Sequence, residues 1–267
     1  MTEDQTLTQI RAYLRTLKLQ KMEKALDEVL SYGARENLPV SKVIERLLAI
    51  EADSLIARRI ERRIKDSKLP ERKLLSDFDF TFQKGIEKSR IMELATLSFI
   101  ERKQGLILAG SSGTGKSHIA KALLLIGCTK LYRCRYTTTA DMLKDLMASL
   151  ADGTLEQRLK VYTRPDILLI DEVGFDRLEQ ESARNASLFF KVIDQRYCKA
   201  STFLTTNIDF KALGDYLGDP VITTAIVDRM VHHSIIIHIQ GPSWRMNESK
   251  KLNSSPKTRP AKKGDPA

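Results

Sequence analysis

This sequence has few cysteines, few aromatic residues and no long apolar segment. Its three cysteines, Cys128, Cys134 and Cys198, show no CxxC spacing, which argues against a disulfide framework or a zinc site and favours reduced thiols. Uninterrupted apolar runs are only a few residues long, as at 167–170, whereas a transmembrane helix needs roughly 20 residues. The first residues are acidic and polar, unlike a secretory signal. We therefore expect a cytoplasmic protein without a membrane partner.

Acidic residues are the minority among the charged ones. Lys and Arg number 44 against 34 Asp and Glu, so the formal net charge is +10, and half of this excess lies in residues 241–267. Excess positive charge favours a polyanionic partner, nucleic acid first, although a basic tail is often only solvated. The 267 residues, 42% of them hydrophobic, suffice for one α/β domain and a small appendage.

Helical periodicity dominates the first quarter of the chain. Apolar residues recur at helical spacing there, and Pro70 is expected to end the last helix. In that helix Ile56, Ile60 and Ile64 recur every four residues and predict a packed face. We assign residues 1–70 to an all-helical N-terminal domain.

From about residue 75 the pattern changes to short β-like runs that alternate with helical stretches. Three of the runs are rich in Ile and Leu at both odd and even positions, which is typical of strands buried on both faces. The alternation predicts a parallel sheet with right-handed crossovers, assigned to residues 75–245. Residues 246–267 are polar, basic and rich in proline, and are predicted to be disordered. The predicted strands are Gly105–Ala109, Arg135–Thr139, Asp166–Ile170, Ser201–Thr205 and Ser234–Ile239.

A phosphate-binding motif follows the first predicted strand. The sequence GSSGTGKS fits GxxxxGK[ST] at every fixed position, between an apolar strand and an apolar helix. Glycines let consecutive N–H groups point at phosphate oxygens beside a helix N-terminus, whereas the alternative is a glycine-rich turn capped by serine. Lys116 would contact the β- and γ-phosphates, and the Ser117 hydroxyl would bind Mg²⁺. The predicted ATP-binding residues are Gly110, Ser111, Ser112, Gly113, Thr114, Gly115, Lys116, Ser117 and His118.

Two adjacent acids follow the third predicted strand. Its apolar run ends in Asp171 and Glu172. Asp171 would hold Mg²⁺ through water, and Glu172 would orient and deprotonate the attacking water. The alternative is a strand that meets a helix cap, and the position downstream of a complete P-loop favours the metal and catalytic roles. Because a module that only binds ATP needs no base, the pair predicts an ATPase that releases ADP and phosphate.

With these motifs the sequence resembles AAA+ ATPases, and more narrowly the IstB-like transposition helper ATPases, which are related to DnaC-type helicase loaders. The resemblance extends from about Leu7 to Lys251, and includes Phe78–Phe82, Leu94–Glu101 and the arginine-rich run 58–63. It implies a P-loop AAA+ sheet flanked by helices, with ATP and Mg²⁺ as cofactors. Only 28 residues follow the last predicted strand, too few for the usual C-terminal lid, and the helper and loader families are truncated in the same way.

The resemblance implies three further roles. Asn207 matches the sensor-1 polar residue that touches the γ-phosphate, whereas its alternative role is that of a strand-end turn residue. Arg229 matches the arginine finger that reaches a neighbouring subunit's ATP and stabilises charge on the transferring phosphoryl group. Without the resemblance, an Asp-Arg pair is more often a local ion pair. Arg196 resembles a family position near the subunit interface and is the second candidate for the finger. The predicted catalytic residues are Lys116, Asp171, Glu172, Asn207 and Arg229.

Two regions of the sequence could contact DNA phosphates. Cations flank the isoleucine stripe between Leu55 and Lys65, although a solvated helix face with paired charges gives the same pattern. The insertion 140–165 is the second region, because initiator-type AAA+ proteins carry an extra helix near this point that steers subunits around DNA. An ordinary amphipathic helix is the alternative. The predicted DNA-binding residues are Arg58, Arg62, Lys144, Arg158 and Lys160.

The motifs and the resemblance together predict a homo-oligomer that assembles with ATP on duplex DNA, with little preference for its sequence. It would recruit or activate a transposase, and hydrolysis would reset the assembly. The first alternative is a replicative helicase loader with the same ATPase and a different client. The second is a non-enzymatic scaffold that binds ATP only structurally, and the adjacent acids argue against it.

Two substitutions should separate ATP binding from hydrolysis. We expect Lys116→Ala to abolish ATP binding and Glu172→Gln to retain binding but stop turnover, because Lys116 would contact phosphate in the ground state and Glu172 would act mainly on the attacking water. Nucleotide titration and phosphate release measure the two effects. Normal turnover by Glu172→Gln would remove the general-base assignment.

Overall fold

The computed structural model of the chain describes residues 2–174, 183–208 and 219–254. The chain divides into two compact units, Met1–Arg63 and Ile64–Ala267. Within these ranges, no helix combines the length and the apolar character that are needed to cross a membrane.

The N-terminal region is helical, as the periodicity predicts. Apolar residues from each of its helices form a small core, although several apolar residues of the third helix, among them Val40 and Leu48, are exposed. The isoleucine stripe is only partly a packed face, because Ile64 is 9% exposed whereas Ile56 is 46% exposed. The core residues are Leu14, Leu26, Val29 and Leu47. The helices are α1 (Glu3–Thr16), α2 (Gln20–Arg35) and α3 (Val40–Asp66).

The second unit contains a five-stranded sheet in which every strand pair is parallel. The strand order is β2-β3-β4-β1-β5, so the prediction of a parallel sheet is confirmed. Four strands end within one residue of their predicted ends, and β3 continues three residues further than predicted, through the two acids. The strands are β1 (Gly105–Gly110), β2 (Cys134–Thr138), β3 (Ile167–Val173), β4 (Ser201–Thr206) and β5 (Ser234–Ile239).

Helices flank this sheet and complete its core. One buried cluster joins strand residues such as Ile107, Leu168 and Leu204 to α7, α8, α9 and α10, and α6 packs across β1, β2, β3 and β4. A 3₁₀ turn at Leu75–Asp77 precedes these helices. They are α4 (Lys88–Ala95), α5 (Ser98–Glu101), α6 (Lys116–Thr129), α7 (Thr139–Ala151), α8 (Leu155–Thr163), α9 (Ala183–Arg196), α10 (Pro220–His232) and α11 (Trp244–Ser254).

The order of the strands determines which loops meet. Because β4 lies between β1 and β3, the carboxyl ends of these three strands are neighbours at one edge of the sheet. Ligands bind at this edge in parallel α/β sheets. The glycine-rich motif follows β1, Asn207 follows β4, and the two acids lie in the last residues of β3. The sheet therefore brings together residues from three distant parts of the sequence.

The C-terminal tail differs from the prediction. Disorder was expected from residue 246, but residues 246–254 belong to α11. Ser243 caps this helix, because its carbonyl oxygen accepts the N–H of Asn247 at 3.1 Å and its Oγ accepts the N–H of Met246 at 3.4 Å. The helix is polar on every side and carries no amphipathic pattern, so periodicity could not reveal it. Residues 255–267 lie outside the described residues.

Candidate functional site

A cavity of about 580 Å³ opens at the carboxyl edge of the sheet. Its size falls within the range of small-molecule and cofactor sites, roughly 300–1,000 Å³. The walls are formed by the glycine-rich loop, by the segment that contains Phe78 and Phe82, by the strand-end residues Glu172 and Asn207, and by the start of α11 at Trp244. The cavity is therefore lined by the predicted phosphate-binding loop, by the predicted general base Glu172 and by the predicted sensor residue Asn207.

The glycine-rich loop depends on glycine for its backbone conformation and for close packing. Gly113 and Gly115 have φ values of +79° and +96°, in the left-handed region that favours glycine. A Cβ on Gly115 would lie 2.4 Å from the ring of Phe78, and one on Gly113 would lie 2.1 Å from Oγ of Ser243. Helix α6 begins immediately afterwards, at Lys116. This loop and helix N-terminus together form an anion-binding concavity.

The Lys116 ammonium group lies at the mouth of this loop. Its Nζ donates to the carbonyl oxygens of Gly110 and Ser111, both at 2.7 Å. Burial lowers the pKa of Lys116, nearby Asp171 opposes that effect, and the Arg245 guanidinium adds to it. Phosphate oxygens would give the ammonium stronger, charged acceptors than the two carbonyls. Lys116 is thus placed to bind an anion in the cavity.

Four side chains converge on the Asp171 carboxylate, which is 1% exposed. The Ser117 hydroxyl donates to Oδ1 at 2.7 Å, and the Thr205 hydroxyl donates to the same oxygen. The Tyr136 hydroxyl donates to Oδ2 at 3.2 Å, and Nζ of Lys121 lies 3.8 Å from that oxygen. The carboxylate is therefore fixed in one orientation by α6, β2 and β4.

Ser117 and Asp171 are suited to bind Mg²⁺. Both offer oxygen, the donor that Mg²⁺ prefers, and the two donor atoms are 2.7 Å apart. Among the described residues no group of three His, Cys, Asp or Glu side chains forms a metal site. A Mg²⁺ site with few protein ligands is ordinary, because this ion usually keeps several waters and takes further ligands from substrate phosphates.

Tyr136 and Lys121 belong to this site, although sequence reasoning missed both. Burial raises the pKa of Tyr136, and the charge of Asp171 raises it further, so its hydroxyl keeps the proton that it donates. Lys121 lies 3.3 Å from Glu71 and 5.4 Å from the centre of the Tyr136 ring. Lys121 follows Ser117 by four residues on α6, and this spacing could have revealed it. No sequence signal pointed to Tyr136.

Glu172 enters the cavity because the end of β3 is irregular. The pairing of β3 with β4 shifts register between Ile170 and Val173, and Glu172 adopts φ of +63°. Its N–H donates to Oγ1 of Thr205 at 2.9 Å. A non-glycine residue in this conformation costs roughly 1–3 kcal/mol, and such strain clusters at functional sites. Asp171 and Val173 stay buried while Glu172 is exposed along the cavity wall.

The other predicted residues at this edge also line the cavity. Asn207 is exposed and follows β4, so it lies between the loop after β1 and the acids of β3. His118 is half-buried, its Nε2 lies 2.8 Å from the carbonyl oxygen of Leu74, and its ring meets that of Phe78 edge-on. The structure thus brings Asn207 and His118 together with the predicted phosphate and metal residues.

Arg229 lies near the amino ends of the strands, whereas the cavity lies at their carboxyl ends. It is near the end of α10, just before β5 begins, and a strand of six residues is about 20 Å long. Its Nε donates to Oδ1 of Asp194 at 2.9 Å, and its guanidinium packs over the ring of Phe190. The structure contains the local ion pair that was the alternative for Arg229, and it separates Arg229 from the cavity of its own chain.

Arg196 is buried inside the chain and hydrogen-bonded to backbone carbonyl groups. It is 1% exposed, and burial lowers its pKa. Its guanidinium donates to the carbonyl oxygens of Tyr162, Pro165 and Ser201. Because these bonds join α8, α9 and the start of β4 inside one chain, Arg196 cannot reach a second subunit in this conformation.

The five predicted DNA contacts are all exposed. Arg58 lies 3.2 Å from Glu51, and Arg158 lies 3.2 Å from Asp145. Exposed, partly paired cations are compatible both with phosphate contacts and with a solvated face. Lys144 lies on α7, Arg158 and Lys160 lie on α8, and Arg58 and Arg62 lie on α3.

The start of α11 is a further part of the site that sequence reasoning could not place. The N–H of Trp244 donates to the carbonyl oxygen of Gly113 at 2.9 Å, and Arg245 lines the cavity. From the neighbouring segment, Nε2 of Gln83 donates to the carbonyl oxygen of Thr114 at 3.1 Å. Two segments that lie far apart in the sequence therefore hold the glycine-rich loop.

Comparison with known proteins agrees with this geometry. Residues 12–252 match the model of the family described as IstB-like ATP binding protein. The chain is 37% identical over 241 residues to the ATP-binding protein of insertion sequence IS5376 from Geobacillus stearothermophilus, a match that covers 90% of this chain and 95% of that protein. It is 35% identical over 243 residues to the ATP-binding protein of insertion sequence IS21 from Pseudomonas aeruginosa, with 91% of each covered.

Solved structures share the fold at lower identity. The crystal structure of DnaI has a TM-score of 0.52 at 22% identity, and the match covers 63% of this chain and 92% of that one. AMPPCP-bound DnaA from Aquifex aeolicus has a TM-score of 0.51 at 21% identity, with 69% of this chain and 57% of that one covered. At these identities the likeness concerns the fold alone, and it confirms the predicted P-loop AAA+ architecture.

Removing the Thr205 hydroxyl should impair turnover more than binding. We expect Thr205→Val to lower the rate of ATP turnover about 10- to 100-fold, the usual effect of losing a residue that orients a ligand, and to leave ATP affinity within about threefold. The change deletes the donor to Asp171 and the acceptor for the Glu172 N–H. Steady-state phosphate release and nucleotide titration measure the two effects. Thr205→Ser keeps the hydroxyl and is the matched control, and equal turnover in both variants would contradict the role of Thr205.

Proposed function

This chain belongs to the family of IstB-like ATP-binding proteins, and from that premise we propose that it binds ATP with Mg²⁺ in the cavity and hydrolyses it. The observation that carries the proposal is the cluster around the Asp171 carboxylate, where Ser117 lies at 2.7 Å and the Thr205 hydroxyl also donates. Together with Lys116 these groups match what a triphosphate and its metal ion require. The glycine-rich loop is the phosphate subsite.

Hydrolysis is supported by the position of Glu172. Its carboxylate is exposed along the cavity wall next to a buried acid, so the two neighbouring acids have different environments and can have different roles. Asp171 holds the metal ion, and Glu172 accepts a proton from the attacking water. When bound, Mg²⁺ neutralises charge on the phosphates. Asn207 lies between the loop and the acids, where its amide can contact the γ-phosphate or the water.

A neighbouring subunit completes the site in this proposal. Arg229 lies on the other edge of the sheet from the cavity of its own chain, and its Asp194 pair is partly open to solvent. An arginine placed in this way can serve the ATP of a neighbouring subunit but not its own. Charge stabilisation by such an arginine contributes roughly 10³–10⁵ in rate where it has been measured. ATP would then join subunits through their active sites.

We infer that the assembled subunits bind duplex DNA and assist a transposase. The similar proteins belong to insertion sequences, which favours a transposase over a replicative helicase as the client. Exposed cations on α3, α7 and α8, together with a net charge of +10, supply phosphate contacts without a base-reading motif. Assembly sums these weak contacts along the DNA.

Mixing two inactive variants tests whether Arg229 acts on a neighbour. We expect Arg229→Ala to bind ATP normally and hydrolyse it poorly, and Lys116→Ala to bind none. A mixture should recover part of the activity, because Lys116→Ala subunits lend Arg229 to the intact cavities of Arg229→Ala subunits. Phosphate release is measured across mixing ratios and protein concentrations. Turnover independent of concentration in the parent protein, with no recovery in any mixture, would assign Arg229 to the Asp194 pair alone.

DNA binding should depend on nucleotide and on salt. We expect a non-hydrolysable ATP analogue to strengthen binding to duplex DNA of any sequence, and affinity to fall by about 0.9 log units per log unit of salt for each phosphate neutralised. Charge reversal at Arg58, Arg62 and Arg158 together should weaken binding more than deletion of residues 250–267. Reversal at three other exposed cations, Lys18, Lys24 and Lys42, is the matched control. Binding that ignores nucleotide would contradict assembly, and no binding at low salt would indicate a purely protein-directed ATPase.

A further inference from the structure

An aromatic pair forms one wall of the cavity beside the phosphate-binding loop. The rings of Phe82 and Trp244 have centroids 4.9 Å apart and lie at 88° to each other, an edge-to-face pair. Both residues line the cavity, and Trp244 is 41% exposed. A large apolar surface is thus open toward a site whose other end is built for phosphate.

The position of this pair relative to the loop is fixed by the backbone. The N–H of Trp244 donates to the carbonyl oxygen of Gly113 at 2.9 Å, and Ser243 packs directly against Gly113. Phe82 is held by Asp79, whose Oδ1 accepts the Phe82 N–H at 3.0 Å. Its neighbour Gln83 donates to the Thr114 carbonyl oxygen. The two aromatic side chains therefore lie within about one side-chain length of the loop backbone.

The chemistry of this wall does not suit phosphate. The faces of aromatic rings carry partial negative charge, which disfavours contact with anions. These faces instead pack against flat aromatic groups or cations. Lys116 and Ser117 define the phosphate end of the cavity. The rest of an ATP molecule must then leave the loop within the same cavity, and its base is flat and aromatic. Covering the exposed face of Trp244 with a base removes apolar surface of both partners from water.

We propose that Phe82 and Trp244 form the subsite for the base of ATP, with the adenine ring packed on Trp244 and Phe82 holding that ring in place. The proposal rests on the proposed ATP binding and adds a role that the P-loop residues do not have. Because every base has a π face, this contact contributes affinity through stacking and does not read the hydrogen-bonding edge of the base.

Trp244 is the one tryptophan of the chain, so its fluorescence reports on this subsite directly. The probes are ATP and inorganic tripolyphosphate, each with Mg²⁺ and the full-length protein. We expect ATP to change the emission of Trp244 at saturation, whereas tripolyphosphate binds to the loop and leaves the emission nearly unchanged. Equal emission changes with both probes would indicate that the tryptophan senses loop closure rather than the base.

Substitutions measured by calorimetry provide the second readout. We expect Trp244→Ala to weaken ATP binding about 5- to 150-fold, the equivalent of losing one base-aromatic stack, with tripolyphosphate affinity unchanged. Phe82→Leu should weaken ATP binding less, and Trp244→Phe should retain most of it. Met246→Ala is the matched control, since Met246 is an exposed apolar residue of α11 that does not line the cavity. None of these substitutions removes the backbone N–H of residue 244, which donates to the Gly113 carbonyl oxygen.

The outcomes separate this inference from the proposed function. Unchanged ATP affinity in both Trp244→Ala and Phe82→Leu overturns the base subsite and leaves ATP binding in place. Equal losses of ATP and tripolyphosphate affinity also overturn it, because the pair would then support only the shape of the loop. A parent protein that binds neither probe overturns the proposed ATP binding together with the subsite.

Discussion

A single buried carboxylate connects the elements of this site. Asp171 accepts hydrogen bonds from Ser117 at the start of α6, from Tyr136 on β2 and from Thr205 on β4. An ionised carboxyl group without such partners would be expensive to bury, so these three elements must meet around it. The shape of this edge depends on that requirement, and in the proposed function the same carboxylate would supply an oxygen for Mg²⁺.

Thr205 connects the buried Asp171 carboxylate to Glu172, the candidate general base for hydrolysis. Its hydroxyl donates to Asp171 and accepts the N–H of Glu172, so one side chain orients the candidate metal ligand and fixes the backbone of the candidate general base. Successive residues of a strand point to opposite faces of the sheet, so the two consecutive acids have different environments. The left-handed backbone at the irregular end of β3 then directs Glu172 into the cavity.

In the proposed function, the carboxyl ends and the amino ends of the strands have different roles. In that proposal the carboxyl edge binds the phosphates and the metal ion and carries the general base Glu172. At the same edge the start of α11 packs against Gly113. The amino edge carries Arg229, paired with Asp194. Since one chain cannot bring both edges to one ATP molecule, the proposed role of Arg229 would make nucleotide binding and subunit assembly dependent on each other. This coupling gives a physical reason for ATP to control the binding of a long polyanion such as DNA.

The sequence by itself determined the parts of this protein that depend on local pattern. The P-loop, the adjacent acids at the end of β3, the five strands and the helical N-terminal region all follow from spacing and periodicity along short segments. The roles of Thr205, Tyr136 and Trp244 needed the tertiary structure, because strand order and the packing of α11 bring them to the cavity from distant segments. The same holds for Arg196, whose buried carbonyl partners no local pattern shows, and for the separation of Arg229 from its own cavity. Local patterns fix which elements form, whereas only packing decides which side chains meet.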